Sequence, residues 1–277
     1  MPRQGRGGVP LQFKGVPVKV VILCGGLGTR MQEETGSRPK PMVTIGRKPI
    51  LWHIMKTFAH YGCTDFVLCL GYKGEMIKEY FYNYEVLNND FTITLGNPKR
   101  IEIHNDHSES GWRITLVDTG DSALKGARIK KIEKYVDTDI FIATYGDGVA
   151  DIDIRKLIAF HKRHGKIGTV TGVRPPSRFG ELVVKSNKVV SFTEKPQVSE
   201  GLINGGFFVF DQKIFRYLSD GDQCDLEVGP LEQLAQDGEL QVYKHDGEWE
   251  CMDTLRDITH LNKLWQNNNA FWQVWND

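Results

Sequence analysis

A β-branched run that opens directly into a glycine turn constrains this chain more than any other feature. Val18-Lys19-Val20-Val21-Ile22-Leu23-Cys24 reads as a buried strand. It runs into Gly25-Gly26-Leu27-Gly28-Thr29-Arg30, and Arg38-Pro39-Lys40-Pro41 follows shortly after. The glycines remove side chains where backbone N–H groups could approach phosphate oxygens. Arg30 and Lys40 add fixed positive charge beside them. A nucleotide site is therefore expected at this turn. A Gly-Gly pair after a strand is also a common tight turn, and short glycine motifs often mislead. The Gly-Lys-Ser/Thr ending of a Walker A loop is missing, and so is G-x-G-x-x-G spacing. The combination of GGLGTR with RPKP is much more specific than either part.

The rest of the chain alternates strands and helices. Apolar residues at helical spacing place a helix from Ile50 to Tyr61, which Gly62 ends. Asp65 to Leu70 reads as a buried strand and Glu75 to Phe81 as a helix. This order argues for a mainly parallel sheet covered by helices, with ligands outside the carboxyl ends of the strands. After residue 83 the pattern changes. Phe91 to Leu95, Ile101 to His104 and Arg113 to Val117 are short alternating strands, so 83–117 reads as a β-rich insertion. Alternation then resumes with a strand from Ile140 to Tyr145 and a helix from Asp153 to His164. Strands follow at Gly168 to Val173, Glu181 to Val184, Val189 to Phe192 and Gly206 to Phe210. Helices over Gln212 to Leu218 and Glu227 to Ala235 lead to a strand from Leu240 to Lys244 and a helix from Leu255 to Trp265. Trp272 and Trp275 are expected to pack the tail onto an apolar patch.

Composition narrows the function. Lys+Arg and Asp+Glu balance at 35 each, so no global field recruits nucleic acid or an anionic membrane. Five cysteines without a C-x-x-C pair suit reduced thiols, with Cys24, Cys63 and Cys69 in or beside apolar runs. There is neither a transmembrane-length apolar stretch nor a signal-peptide core, and a cytoplasmic protein is expected. Residues 1–17, rich in Gly, Pro and basic side chains, read as a disordered extension. His104 and His107 have no third ligand at sensible spacing, and a metal site there is not expected.

With these motifs in view, the chain resembles the sugar-1-phosphate nucleotidylyltransferases from about Val18 onward, and within them the branch that makes CDP-glucose. Lys48 to Lys56, Leu70 to Gly74, Thr115 to Gly120 and Tyr145 to Asp151 carry the likeness, with Ile203 to Phe208 and Met252 to Asp257. The resemblance implies an α/β, Rossmann-like nucleotide-diphospho-sugar transferase fold. Its mixed, mainly parallel central sheet would be flanked by helices over 18–277, one nucleotidyltransferase domain carrying the small β-rich insertion. It implies transfer of a nucleotidyl group from CTP to glucose 1-phosphate with Mg²⁺; a thymidylyl- or uridylyltransferase and a non-catalytic nucleotide-sugar binding subunit stay open. Hexapeptide repeats of the fused acetyltransferase relatives are absent.

The same likeness distributes roles. Lys40 and Arg30 would carry the catalytic charge, Lys40 on phosphate oxygens and Arg30 on the leaving pyrophosphate. Leu23, Cys24, Gly25, Gly26, Leu27, Gly28, Thr29, Arg30, Arg128 and Gly146 would bind the nucleotide. Glu194, Lys195, Asn204 and Gly205 would bind the sugar phosphate, and Asp147 and Asp253 the metal. Residue by residue, Asp147 also suits a turn and Asp253 a helix cap. The Asp151-x-Asp153 pair could be a glycosyltransferase metal motif, although capping explains it better. A homo-oligomer is implied, a hexamer with contacts through 83–117 and Arg128 near an interface. The alternative for 83–117 is a lid over its own site.

Overall fold

The computed structural model describes residues 18–26, 28, 36–96, 98–105, 107–174, 181–185, 188–193 and 201–276. The expected extension 1–17 and the expected site residues Leu27, Thr29, Arg30, Glu194 and Lys195 lie outside them.

Among the described residues, seven strands form the central sheet: β1 (Lys19–Leu23), β2 (Asp65–Leu70), β3 (Arg113–Asp118), β4 (Ile140–Tyr145), β5 (Gly168–Val173), β6 (Ile203–Asp211) and β7 (Leu240–His245). Their order is β7-β5-β6-β4-β1-β2-β3. Every neighbouring pair is parallel except those made by β6, which runs antiparallel to both β4 and β5. The sheet is thus mixed and mainly parallel. Its faces carry separate cores. Val20 and Ile22 point to one, with Phe207 and Val209; Val21 and Leu23 point to the other, with Phe208 and Phe210. Burial of successive residues on opposite faces explains why the β1 sequence is apolar without alternation.

Among the described residues, five longer helices cover the sheet or flank it: α1 (Ile50–His60), α2 (Gly74–Tyr82), α3 (Lys125–Lys131), α4 (Ile154–His164) and α5 (Leu255–Gln266). Trp272, fully buried, and Trp275 insert into the core beside α1, as the tail reading anticipated. Burying a side chain of that size stabilises by roughly 3 kcal/mol. Among the described residues no helix is long and apolar enough to cross a membrane.

Two segments differ most from the sequence expectation. Arg113 to Val117 does not belong to an insertion: it is edge strand β3, paired in register with β2 from Asp65↔Arg113 to Leu70↔Asp118. One polar face on an edge strand mimics the alternation of a surface ribbon. The outlying part is instead the short helix Tyr84–Asn88 and a two-stranded ribbon, Phe91–Thr94 against Arg100–Ile103. The helix expected over Glu227 to Ala235 is broken as well, because Val228 and Gly229 leave helical backbone, Gly229 at φ +100°. Regular helix there is limited to Glu232–Gln236.

Candidate active site

The carboxyl ends of β1 and β4 open into a cavity of about 610 Å³. Leu23, Cys24, Gly25, Gly26 and Gly28 line one side, and Gly146 and Asp147 the floor. Close backbone approach demands two of these glycines. A Cβ on Gly25 would come 2.1 Å from the Arg128 Cζ, and one on Gly146 would come 3.0 Å from the Leu23 carbonyl oxygen.

Asp147 and Asp253, more than a hundred residues apart, meet through a small ribbon. Asp147 immediately precedes strand Gly148–Ala150, and Asp253 closely follows strand Trp249–Cys251. The strands pair antiparallel with Gly148 opposite Cys251, which brings both aspartates to the same end. The Met252 N–H donates to the Asp147 carbonyl at 2.9 Å and closes the ribbon. Asp253 is not the cap of α5. Thr254 is, and its side chain accepts from the Asp257 N–H in a capping box. Asp257 Oδ2 in turn accepts from the Asp253 N–H at 2.9 Å, so the aspartate backbone is held while its carboxylate faces the cavity.

Lys40 enters from a single 3₁₀ turn, Lys40–Met42, that starts after extended Pro39 and contains buried Pro41. Its Nζ lies 2.5 Å from Asp147 Oδ2 and 2.5 Å from Asp253 Oδ1. Burial opposes the ammonium's charge, but the field of Asp147 and hydrogen bonds to both carboxylates outweigh it and raise its pKa. Cys251 completes the cluster: one ligand atom from each of Asp147, Cys251 and Asp253 lies within 4.8 Å of the others. Burial first, then the charge of Asp147, pushes this thiol up, so it is a neutral neighbour. The donors that remain are hard carboxylate oxygens, which suit a small divalent cation completed by phosphate oxygens and water.

Arg128 lies behind the glycine turn, only 4% exposed. Its guanidinium donates to the carbonyls of Leu70, Gly120, Gly25 and Asp121 and to the Thr119 hydroxyl. Among the described residues it has no carboxylate in direct contact, and the Asp121 and Asp222 carboxylates act on its charge from farther off. The group fixes three strand ends together and is interior to its own chain.

Several cavity residues were not singled out from the sequence. The Tyr145 hydroxyl donates to Glu227 Oε1, which also pairs with the Lys125 ammonium, and Asn204 Nδ2 donates to the same hydroxyl at 3.2 Å. Trp249 lines the cavity and donates through Nε1 to the Gly205 carbonyl at 2.8 Å. This is how Asn204 and Gly205 reach the site. Tyr145 and Cys251 adjoin the motifs that hold Asp147 and Asp253; Glu227, on a broken helix, has no such flag.

The neighbouring candidates resolve into structural roles. Asp153 caps α4, accepting from the Arg155 and Lys156 N–H groups. Asp151 accepts from the Glu248 N–H and meets His245 at 2.9 Å. His107 lies between Glu85 and Glu109, and His104 meets Thr92. Cys24, Cys63 and Cys69 are buried free thiols.

A family model described as nucleotidyl transferase matches residues 19–273. The chain belongs to that family. It is 51% identical over 259 residues to glucose-1-phosphate cytidylyltransferase of Salmonella typhimurium (strain LT2), covering 93% of this chain and all of that one. The same enzyme of Salmonella typhi is equally similar. In fold, the chain matches the inositol-1-phosphate CTP transferase from T. maritima with a TM-score of 0.66 and 16% identity, over 96% of this chain and all of that one. Nucleotidyl transferases of this family generally work with a divalent metal, and the Asp147–Asp253 pair provides the fitting donor set.

Proposed function

We propose that this chain transfers CMP from CTP to α-D-glucose 1-phosphate, releasing pyrophosphate and giving CDP-glucose, with Mg²⁺. The observation that carries the reading is the convergence of Lys40, Asp147 and Asp253 on the cavity beside the glycine turn, in a chain half identical to such enzymes over its length. A sugar phosphate is already ionised near neutrality, so no base has to create the nucleophile. Its oxygen attacks the α-phosphorus, the bond to the bridging oxygen of the β-phosphate breaks, and that oxygen leaves with the electron pair as pyrophosphate. The chain's task is to align two anions and offset their repulsion.

Backbone N–H groups at Gly25, Gly26 and Gly28 would face the phosphates, and Arg128 would keep the turn in place while adding its field. The Lys40 ammonium would stabilise charge on the phosphoryl oxygens in the transition state. Arg30 would take the leaving pyrophosphate. Asp147 and Asp253 would hold Mg²⁺, which supplies charge neutralisation and orients phosphate oxygens. Glu194, Lys195, Asn204 and Gly205 would receive the sugar phosphate, with the Tyr145 hydroxyl, held by Glu227, positioning Asn204. Incubation with glucose 1-phosphate and each of CTP, dTTP, UTP and ATP tests the reading. CDP-glucose formed preferentially supports it; preference for another nucleotide refutes the CTP assignment.

A cytoplasmic homo-oligomer, a hexamer, completes the proposal. Phe91, Ile93, Ile101 and Ile103 share one face of the outlying ribbon, and the first three are exposed. A two-stranded ribbon with such a face is marginal alone and is stabilised by a covering subunit. Light scattering at micromolar concentration tests this; a monomer contradicts it.

A further inference from the structure

Lys40 competes with any divalent cation for Asp147 and Asp253. The ammonium lies 2.5 Å from one oxygen of each carboxylate, which is where a cation shared by the two would be placed. Two positive charges in that space repel strongly within a half-buried site. Among the described residues, the other cationic groups that line the cavity have partners elsewhere: Lys125 pairs with Glu227, and Arg128 is surrounded by carbonyls. Lys40 also shares the cavity with Gly25, Gly26 and Gly28, where phosphates would enter. Its backbone is held between prolines, whereas the four-carbon stem has rotatable bonds that can redirect the charge.

We propose that Lys40 is a displaceable internal counter-ion. It holds the two carboxylates together until a divalent cation takes them, and its displaced ammonium then faces the phosphate side of the cavity. The proposal rests on Asp147 and Asp253 being the metal carboxylates. It follows that metal alone binds weakly, since it competes with a charge already in place. The same event that loads the metal delivers the lysine to the substrate.

The test is Mn²⁺ binding to the full chain without nucleotide, followed by calorimetry or by the EPR signal of free Mn²⁺. Lys40→Gln is expected to bind Mn²⁺ at least about tenfold more tightly than the unmodified chain, by the free-ligand linkage that removes a competitor. Lys125→Gln removes an equal charge from the same cavity and should stay within about threefold. A measurement on the unmodified protein stands beside the variants: acetylation of Lys40, read by mass spectrometry, should increase when Mg²⁺ is added. Equal or weaker Mn²⁺ binding by Lys40→Gln, equal tightening by both variants, or acetylation unmoved by Mg²⁺ overturns the proposal. Absence of Mn²⁺ binding to every protein removes the metal site and the proposal with it. A chain that makes CDP-glucose but fails these tests loses only the counter-ion role. A chain that passes them without making CDP-glucose loses only the proposed reaction.

Discussion

Thr254 caps α5 while its neighbour Asp253 meets the Lys40 ammonium at 2.5 Å. The division of labour is physical. A cap accepts from helix N–H groups, and a carboxylate engaged that way is poorly placed to face a cation. Thr254→Ala should therefore act on both stability and chemistry. A loss of about 1 kcal/mol is expected in urea denaturation, the usual scale for a cap. Turnover should fall several-fold as Asp253 loosens; unchanged turnover would show that Asp257 alone positions it.

Asp147 and Asp151 separate site from scaffold. Asp147→Ala removes a carboxylate from Lys40 and from the proposed metal, and turnover should fall by at least about 10²-fold. Asp151→Ala removes an acceptor for the Glu248 N–H and should leave turnover within several-fold. Parallel steady-state assays decide, and equal losses would favour an Asp-x-Asp site over the one proposed.

Lys40→Ala should lower turnover by roughly 10²–10³-fold, the scale for one preorganised electrostatic group. Lys40→Arg should fail comparably, because a planar fork does not replace a compact ammonium presented to phosphate oxygens from a stiff loop. Retained activity in Lys40→Arg would mean that charge alone matters.

Arg128→Met tests the guanidinium under the turn. Four carbonyls and a hydroxyl lose a donor in an interior position, and a destabilisation of about 3 kcal/mol is expected. The KM for the nucleotide should rise as the Gly25 carbonyl is released. Thermal and urea unfolding, with nucleotide titration, check both; a variant as stable as the parent chain would contradict the role given to Arg128.

His53 gives the fold a pH dependence. It is fully buried, its Nε2 3.0 Å from the Ile45 carbonyl, its ring centroid 4.6 Å from that of Trp265. Burial, opposed by the Ile45 hydrogen bond, lowers its pKa from 6.5 to about 4. The unfolded chain therefore binds a proton at higher pH than the folded one. The stabilisation is complete above pH 6.5 and is lost as pH falls from there toward 4, by about 2 kcal/mol at pH 5. Urea titrations at pH 7 and pH 5 should differ less in His53→Gln. An identical pH difference would place the sensitivity elsewhere, with His161, lowered to about 4 by its own burial, the next group to test.

Much of this protein is legible from residue order. The β1 strand, its glycine turn, α1 and the paired prolines around Lys40 are local patterns, set by backbone sterics and by which residues are apolar. They suffice to place a glycine turn at a strand end, and the motif combination suffices to name the family. Capping was legible in kind but misplaced by one residue, since Asp253 and Thr254 are both good caps and only the observed hydrogen bonds distinguish them.

Tertiary structure decided what depends on distant partners. Arg113 to Val117 alternates like a surface ribbon, yet pairing with β2 makes it the sheet edge, because alternation reports a half-exposed strand without saying which sheet it joins. Gly229 breaks a helix that propensity alone would continue. The Lys40–Asp147–Asp253 cluster exists because two three-residue strands pair antiparallel across more than a hundred residues. Sequence by itself determined which charges the chain carries and which segments must be buried. Only the folded arrangement decided that one lysine and two aspartates share a few ångströms, since such contacts follow from packing the whole chain and not from spacing along it.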